Sequence, residues 1–173
     1  MKLIINLTTL TVLLILTGLP NLSNAQEFRT ETDLLGDIKV PTDAYYGAQA
    51  ARGMENFKIS DQYINDYPDF IKAWGMVKLA CAQANTDAGK MQAEILKPIE
   101  EACNEVIAGK YLDQFRIDLY QGGAGTSTNM NANEVLANIA LEKSGHEKGD
   151  YDKISPNDHL NMSQSTNDTY PSA

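Results

Sequence analysis

A stretch rich in glycine, hydroxyl and amide side chains, from Gln121 to Asn133, constrains this chain more than any other feature. It reads Gln-Gly-Gly-Ala-Gly-Thr-Ser-Thr-Asn-Met-Asn-Ala-Asn. Three glycines within four positions allow positive φ angles and a close approach of the backbone to a ligand. Residues 134–143 are predicted to form an amphipathic helix, which places the loop at a helix N-terminus. Such an end offers unpaired N–H groups and a positive dipole, so the loop is predicted to favour anions.

A second stretch of the same chemistry, Ser163-Gln-Ser-Thr-Asn-Asp168, lies further along the chain. Lysine and arginine are absent from 117–142, so neutral donors are expected to hold any carboxylate at the glycine loop. Taken alone, a glycine-rich loop is more often a turn, and Ser, Thr and Asn clusters are usually caps. The loop spacing matches neither the Walker nor the dinucleotide fingerprint. The two stretches together indicate a binding site.

Composition excludes several classes of partner. The net charge of −9 and the lack of any basic run argue against nucleic acids and anionic membrane surfaces. No CxxC, HExxH or Cys/His cluster occurs, so no metal site is expected. The cysteines Cys81 and Cys103 are expected to be free thiols buried on neighbouring helices, with a disulfide as the alternative.

The first 25 residues have the layout of a secretory signal peptide. Lys2 precedes an uncharged, mostly apolar run, Leu3–Leu16, and Ser23-Asn24-Ala25 supplies the small residues of a cleavage site after Ala25. The apolar run is shorter than the roughly 20 residues of a membrane span. We therefore expect an exported, periplasmic protein with no membrane association after cleavage. The alternatives are an uncleaved anchor or a wrongly chosen start codon, which would make the protein cytoplasmic.

The remainder, 26–173, is predicted to be one mainly α domain with a loop-rich N-terminal arm. The arm, 26–57, has a possible short strand near 37–40. A helix starting at Pro68 should place Phe70, Trp74, Val77 and Cys81 on its inner face. Further helices are predicted from Pro98 to Gly109, over 131–143, and at the end of the chain with Pro171 in the first turn.

The run Gly122–Asn138 closely resembles the loop and helix of aspartate ammonia-lyases, in the aspartase/fumarase (fumarate lyase) superfamily. The resemblance extends from about Arg29 to Ala173. Its other motifs are Asp33-Leu-Leu-Gly36, Pro41-Thr-Asp-Ala-Tyr-Tyr-Gly47, Glu55-Asn-Phe57, Pro156-Asn-Asp158 and Asn161-Met-Ser-Gln-Ser-Thr-Asn-Asp168. It implies the N-terminal domain of that superfamily, a fragment truncated before the central helix bundle.

The resemblance also implies a function and a set of site residues. The family reversibly eliminates ammonia from L-aspartate to give fumarate, without a cofactor, as a homotetramer whose active sites each draw on three subunits. By motif position, the residues that contact a substrate carboxylate are Thr126, Ser165, Thr166 and Asn167. Further candidates are Arg52, which aligns with a family arginine near the site, and Asn157 and Asp158, which match part of a second dicarboxylate site in fumarases. Ser155 replaces the histidine that opens that second site.

Two departures refine these expectations. Ala124, Ser127 and Thr166 stand where the fumarase branch has other residues, which favours aspartase. The family's catalytic serine lies in a Gly-Ser-Ser loop, and no such run occurs here. No catalytic residue is therefore assigned, and the isolated chain is predicted to be inactive. The alternatives are a fumarate hydratase, another fumarate-forming lyase, or a non-catalytic module that binds dicarboxylates or serves assembly.

Overall fold

The computed structural model describes residues 26–173, so the predicted signal peptide lies outside the described residues. The mainly helical character predicted from the sequence is confirmed. The elements, in chain order, are β1 (Phe28–Asp33), β2 (Gly36–Pro41), α1 (Ala48–Asn56), α2 (Pro68–Asp87), α3 (Ala93–Ile107), α4 (Thr126–Lys143) and α5 (Thr166–Ser172), with short 3₁₀ turns at Ile64–Asp66 and Leu112–Gln114.

The N-terminal arm begins with an antiparallel hairpin of β1 and β2. The strand predicted near 37–40 corresponds to β2, whereas β1 was not predicted because its sequence, Phe-Arg-Thr-Glu-Thr-Asp, lacks apolar alternation. Side-chain hydrogen bonds hold β1 instead. The Arg29 guanidinium donates to the carbonyl oxygens of Pro41, Ala44 and Tyr46 at 2.7–2.9 Å. One arginine thus fixes the course of the chain between β2 and α1.

Helix α2 begins at Pro68, as predicted, but its buried face differs from the predicted one. Its buried residues are Ile71, Trp74, Gly75, Lys78, Ala82 and Asn85, so that of the four residues predicted to face inward only Trp74 is buried. The apolar spacing misled the prediction because two of the buried residues are polar and one is glycine. A Cβ on Gly75 would lie 2.9 Å from Ile107 Cγ1, so glycine permits the close approach of α3.

Helix α3 starts at Ala93 rather than near Pro98, which lies inside the helix. Ile99, Cys103 and Val106 lie on its inner face and are fully buried, whereas Ile107 is partly buried. The packing with α2 is antiparallel: Gln83 Nε2 donates to Glu100 Oε1 near one end, and Gly75 faces Ile107 near the other. Cys81 and Cys103 are both free thiols, as expected, but only Cys103 is buried and Cys81 is partly exposed.

Helix α4 lies at the centre of the domain. It begins at Thr126, five residues earlier than predicted, and from Thr128 to Leu141 every residue except Met130 is buried. The predicted amphipathic pattern is therefore wrong, because other elements cover this helix on all sides. Most hydroxyl and amide residues assigned to the loop belong to its first turns. No helix within residues 26–173 has the length and hydropathy of a membrane span.

Candidate functional site

The two hydroxyl-rich stretches meet in the structure. Gly125, at the N-terminus of α4, packs against the ring of Tyr170 in α5, and a Cβ on Gly125 would overlap that ring. Gly125 also has a φ of +86°, in the left-handed region that favours glycine. Tyr170 is held in turn by edge contacts with the rings of Phe70 and Trp74. An aromatic cluster thus holds α5 against the glycine loop.

The glycine loop itself is tightly turned. Three consecutive residues, Gly123, Ala124 and Gly125, have positive φ angles. The side chain of Gln121 spans the turn, because its Oε1 accepts from the Thr128 N–H at 2.8 Å and its Nε2 donates to Thr128 Oγ1 at 2.6 Å. The chain therefore occupies part of the donor set that the sequence assigned to an anion.

A cleft of about 340 Å³ separates the loop from α5. Of the four residues predicted to contact substrate, only Asn167 lines this cleft. The lining residues are Leu119, Gln121, Ala124, Gly125, Asn167, Tyr170 and Pro171. Thr126 follows Gly125 directly and is exposed, and its hydroxyl donates to the Gly123 carbonyl oxygen. The cleft is thus bounded by both predicted stretches.

Ser165 and Thr166 open helix α5. Ser165 is its N-cap, with Oγ accepting from the Asn167 N–H at 3.2 Å. Thr166 Oγ1 accepts from Asn129 Nδ2, on α4, at 3.0 Å. This hydrogen bond is a second direct link between the two stretches.

A buried lysine stands behind this link. Lys78 of α2 is 1% exposed, and its Nζ donates to Asn129 Oδ1 and Gln164 Oε1, both at 2.7 Å. Burial lowers the pKa of Lys78 from 10.5 to about 7. The expectation that neutral donors hold a carboxylate at the glycine loop stays a prediction, because Lys78 is buried and does not line the cleft. A lysine from a distant part of the chain nevertheless contacts both stretches.

Of the further candidates, Asn157 lines a different cleft, whereas Arg52 and Asp158 do not. Arg52 forms an ion pair with Asp33, with Nη2 and Oδ1 3.0 Å apart, and also donates to the Gly36 carbonyl oxygen. Asn157 lines a small cleft together with Asp33, Glu31 and Glu134. Two of these carboxylates are ion-paired, Asp33 with Arg52 and Glu31 with Arg29. The assignment of Arg52, Asn157 and Asp158 to a second dicarboxylate site stays a prediction.

Two buried carboxylates in this region hold the start of α1, a feature that the sequence did not reveal. Glu134 accepts from the N–H groups of Gly47, Gln49 and Ala50 at 2.7–3.0 Å, and Glu31 accepts from that of Ala48 at 2.8 Å. Burial raises the pKa of Glu134 to about 7. These carboxylates satisfy the unpaired donors of the helix end. Within residues 26–173 no group of three His, Cys, Asp or Glu side chains is arranged to hold a metal ion.

Comparison with known proteins identifies the family. A family model described as Lyase matches residues 36–173. The chain belongs to this lyase family. A curated relative from Pseudomonas fluorescens, named aspartate ammonia-lyase, is 51% identical over 152 residues, which make up 88% of this chain and 32% of the relative. The chain thus spans about a third of the length of the curated lyases that it matches.

Solved structures of lyases share the fold. A fumarate lyase:delta crystallin from Brucella melitensis is 50% identical with a TM-score of 0.82, covering 84% of this chain and 32% of that one. A class II fumarase from Schistosoma mansoni is 36% identical with a TM-score of 0.73, covering 84% and 30%. The resemblance to the aspartase/fumarase superfamily, and the interpretation as its N-terminal domain, are confirmed.

Membership of the lyase family does not account for every residue at the site. Thr126 and residues 165–167 stand in motifs rich in hydroxyl groups, which the sequence displays openly. Lys78 stands alone in a helix with apolar neighbours and belongs to no such motif. Its one visible signal is its register, since it follows the buried Trp74 by four residues and precedes the buried Ala82 by four.

Proposed function

We propose that this chain supplies the substrate-binding walls of an aspartate ammonia-lyase, which reversibly eliminates ammonia from L-aspartate to give fumarate. The observation that carries the proposal is the juxtaposition of the two stretches. The glycine loop and Asn167 line one cleft. The Asn129–Thr166 hydrogen bond joins the two stretches beside it. The 51% identity to a protein named aspartate ammonia-lyase supports this choice of substrate.

The chemistry of the elimination explains why such donors are needed. A weakly acidic proton leaves the carbon next to a carboxylate, and negative charge then accumulates on that carboxylate. Preorganised donors aimed at the developing charge lower the barrier, and removing one typically costs about 3–4 kcal/mol. The hydroxyls of Thr126, Ser165 and Thr166 and the amide of Asn167 are donors of this kind. Lys78, whose pKa burial lowers to about 7, adds a positive charge behind them when it is protonated.

The proton must be taken by a residue outside these walls. The family's Gly-Ser-Ser loop does not occur in the sequence. We therefore propose that the base is supplied by another part of the full-length protein, assembled as a homotetramer. The 173-residue chain alone should release no ammonia from L-aspartate, and release of ammonia by it would refute this division of roles.

The decisive experiment measures fumarate formation by the full-length protein, with L-aspartate and L-malate as alternative substrates. We expect turnover of L-aspartate and none of L-malate. The second candidate is a fumarate hydratase, favoured by the similarity to a class II fumarase. Activity with L-malate alone would establish that candidate. A folded protein that binds fumarate but turns over neither substrate would be a non-catalytic dicarboxylate-binding module.

We also propose that the protein is exported to the periplasm, on the basis of the signal-like residues 1–25. Expression in a Gram-negative host followed by fractionation tests this proposal. A periplasmic product whose N-terminus is Gln26 is expected. A cytoplasmic product that retains Met1 would contradict it.

A further inference from the structure

Lys78 joins three segments of the chain in one buried cluster. Its Nζ donates to Asn129 Oδ1 on α4 and to Gln164 Oε1 before α5, and lies 3.5 Å from Asn161 Oδ1. The ring centroid of Trp74 is 5.4 Å from Nζ. Within residues 26–173, no carboxylate lies within 4.0 Å of this ammonium. Amide oxygens are therefore its main polar partners.

This arrangement is costly for a residue with only a structural role. Removing an ammonium from water carries a penalty of several kcal/mol, and hydrophobic residues of similar volume often fill such positions equally well or better. The amides that Lys78 contacts belong to the two segments that bound the cleft. The free-energy cost of burying Lys78 is therefore accompanied by contacts that hold the two segments of the site in place.

Lys78 determines the direction of the hydrogen bonds around it. Lys78 Nζ donates to the Asn129 amide oxygen, so that oxygen faces Lys78 and the NH₂ group faces away. That NH₂ group donates to Thr166 Oγ1 and to Asn161 Oδ1, each at 3.0 Å. Thr166 Oγ1 therefore acts as an acceptor towards Asn129. A threonine hydroxyl has one proton to donate, and here that proton is directed away from α4.

The second branch fixes the backbone that precedes α5. Gln164 Oε1 accepts from Lys78, so its NH₂ group is free to donate to the carbonyl oxygens of Leu160 and Met162, at 2.9 and 3.2 Å. These bonds close the turn that leads into Ser165. Lys78 therefore acts on both the orientation of the Thr166 hydroxyl and the place of the segment that carries it.

We propose that Lys78 is a positioning residue that orients the Asn129 amide so that the Thr166 hydroxyl donates its proton to the substrate carboxylate. This inference rests on the proposed function, in which Thr166 contacts that carboxylate. Lys78 itself stays buried and does not touch the substrate.

A double-mutant cycle tests the inference in the full-length protein, with Lys78→Met, Thr166→Val and the double variant. If Lys78 acts through Thr166, each single substitution lowers kcat/KM for L-aspartate by about tenfold or more. The kcat/KM of the double variant is then no lower than that of the less active single variant. Thr166→Ser, which keeps the hydroxyl, should restore most of the activity. Multiplicative losses in the double variant, or wild-type kinetics of Lys78→Met, would overturn the inference.

Lys72→Met is the matched control, because Lys72 lies on the same helix but is partly exposed and pairs with Asp69. It should leave kcat/KM unchanged. A loss equal to that of Lys78→Met would show a general effect of charge on α2 and would contradict the positioning role.

A readout without turnover separates this inference from the proposed function. In NMR spectra, the side-chain amide protons of Asn129 should exchange slowly in the wild type and faster in Lys78→Met, because the amide loses its fixed orientation. An unaltered Asn129 signal would overturn the positioning role even if the enzyme is active. A wild-type protein that binds fumarate without turning over L-aspartate would overturn the proposed function. The Asn129 signal would still show whether Lys78 orients the amide that contacts Thr166.

The pH dependence of stability gives a further check. The pKa of Lys78 falls from 10.5 to about 7 on burial, so the unfolded state binds more protons between those values and the free energy of unfolding rises with pH. The titratable groups that face Lys78 are the thiols of Cys81 and Cys103, whose pKa values burial raises above 9.0. Between pH 7 and about 8.5 the wild type should gain stability relative to Lys78→Met. Parallel curves would contradict the lowered pKa, because they would mean that Lys78 keeps its proton in the folded state over this range.

Discussion

At the scale of single residues, Gly125 shows how a side chain of one hydrogen determines the shape of the site. Two constraints act there together, a φ of +86° and the Tyr170 ring against the Cα. Gly145 is subject to only the first of these constraints: it has a φ of +78°, but a Cβ added there would meet no atom within 4 Å. Comparing the two positions isolates the effect of the ring contact from that of the backbone conformation.

Gly125→Ala should therefore destabilise the protein more than Gly145→Ala. The control is expected to lose about 1 kcal/mol from its left-handed backbone, whereas Gly125→Ala should lose about 2 kcal/mol more because α5 must move. Urea unfolding of the two variants measures the difference. Equal losses would mean that α5 shifts away from the loop without cost.

Thr126 and residues 165–167 could be singled out from the sequence because they stand in ordered motifs, and their contact with a substrate stays a prediction. The role of Lys78 could not. Its partners Asn129 and Gln164 are 51 and 86 residues away, and no local pattern shows that their amide oxygens will converge on one ammonium. Apolar spacing gives no reason to place a lysine in the interior, and the predicted inner face of α2 is wrong for that reason.

At the scale of elements, α1 depends on side chains from elsewhere for its first turn. Its N-cap, Gly47, has no side chain to accept a hydrogen bond, and Glu134 of α4 with Glu31 of β1 takes that role. A Cβ on Gly47 would lie 2.7 Å from Glu31 Oε2 and 2.9 Å from Glu134 Cδ. Glycine thus admits both carboxylates to the helix end.

Glu134→Gln should destabilise the protein by about 1–3 kcal/mol, because an NH₂ group would then face backbone N–H donors. Burial raises the pKa of Glu134 from 4.5 to about 7. The folded state therefore retains a proton that the unfolded state loses, and this group's contribution to stability falls as pH rises from 4.5 to 7. The deficit of the variant should accordingly be larger at pH 5 than at pH 7, as measured by urea unfolding.

Glu142→Gln is the control for that comparison, since Glu142 lies on the same helix but is exposed and accepts from Tyr45 Oη. Its effect should be small at both pH values. A deficit of Glu134→Gln that grows towards pH 7 would contradict the raised pKa.

Helix positions were predicted well where a start signal coincided with the true start, as at Pro68. They were predicted less well where a residue permits a start without requiring one. Pro98 is tolerated in a first turn, yet α3 begins five residues earlier at Ala93. For α4 the polar first turns looked like loop, because hydrogen bonds to other segments replace the apolar face that a periodicity search needs.

At the scale of the whole molecule, α4 is the element around which the others pack. It contributes Val135, Leu136 and Ile139 to the hydrophobic core, and each of these residues is at most 1% exposed. Helices α1 and α3 and the segment around Leu160 cover it. The overall mainly helical fold was predictable from the sequence, but the burial of α4 on every side depends on this tertiary packing.

Leu136→Ala should cost about 2–5 kcal/mol, the range for a leucine removed from a closed core. Leu34→Ala, at the fully exposed turn of the hairpin, provides the control and should change stability by less than about 0.5 kcal/mol. Thermal and urea unfolding of both variants test this contrast. A small loss at Leu136 would mean that the interior collapses around the missing side chain.

The amide side chains along α4 have a consequence for the order in which the protein folds. Asn138 donates to the carbonyl oxygen of Tyr45, 93 residues away, Asn131 to that of Gln114, and Asn133 to Asn161 Oδ1. None of these bonds can form before the separate segments have been brought together, which costs chain entropy. Proteins whose contacts join distant residues fold more slowly than those with local contacts. This largely helical domain should therefore fold at a rate limited by the gathering of loops around its central helix.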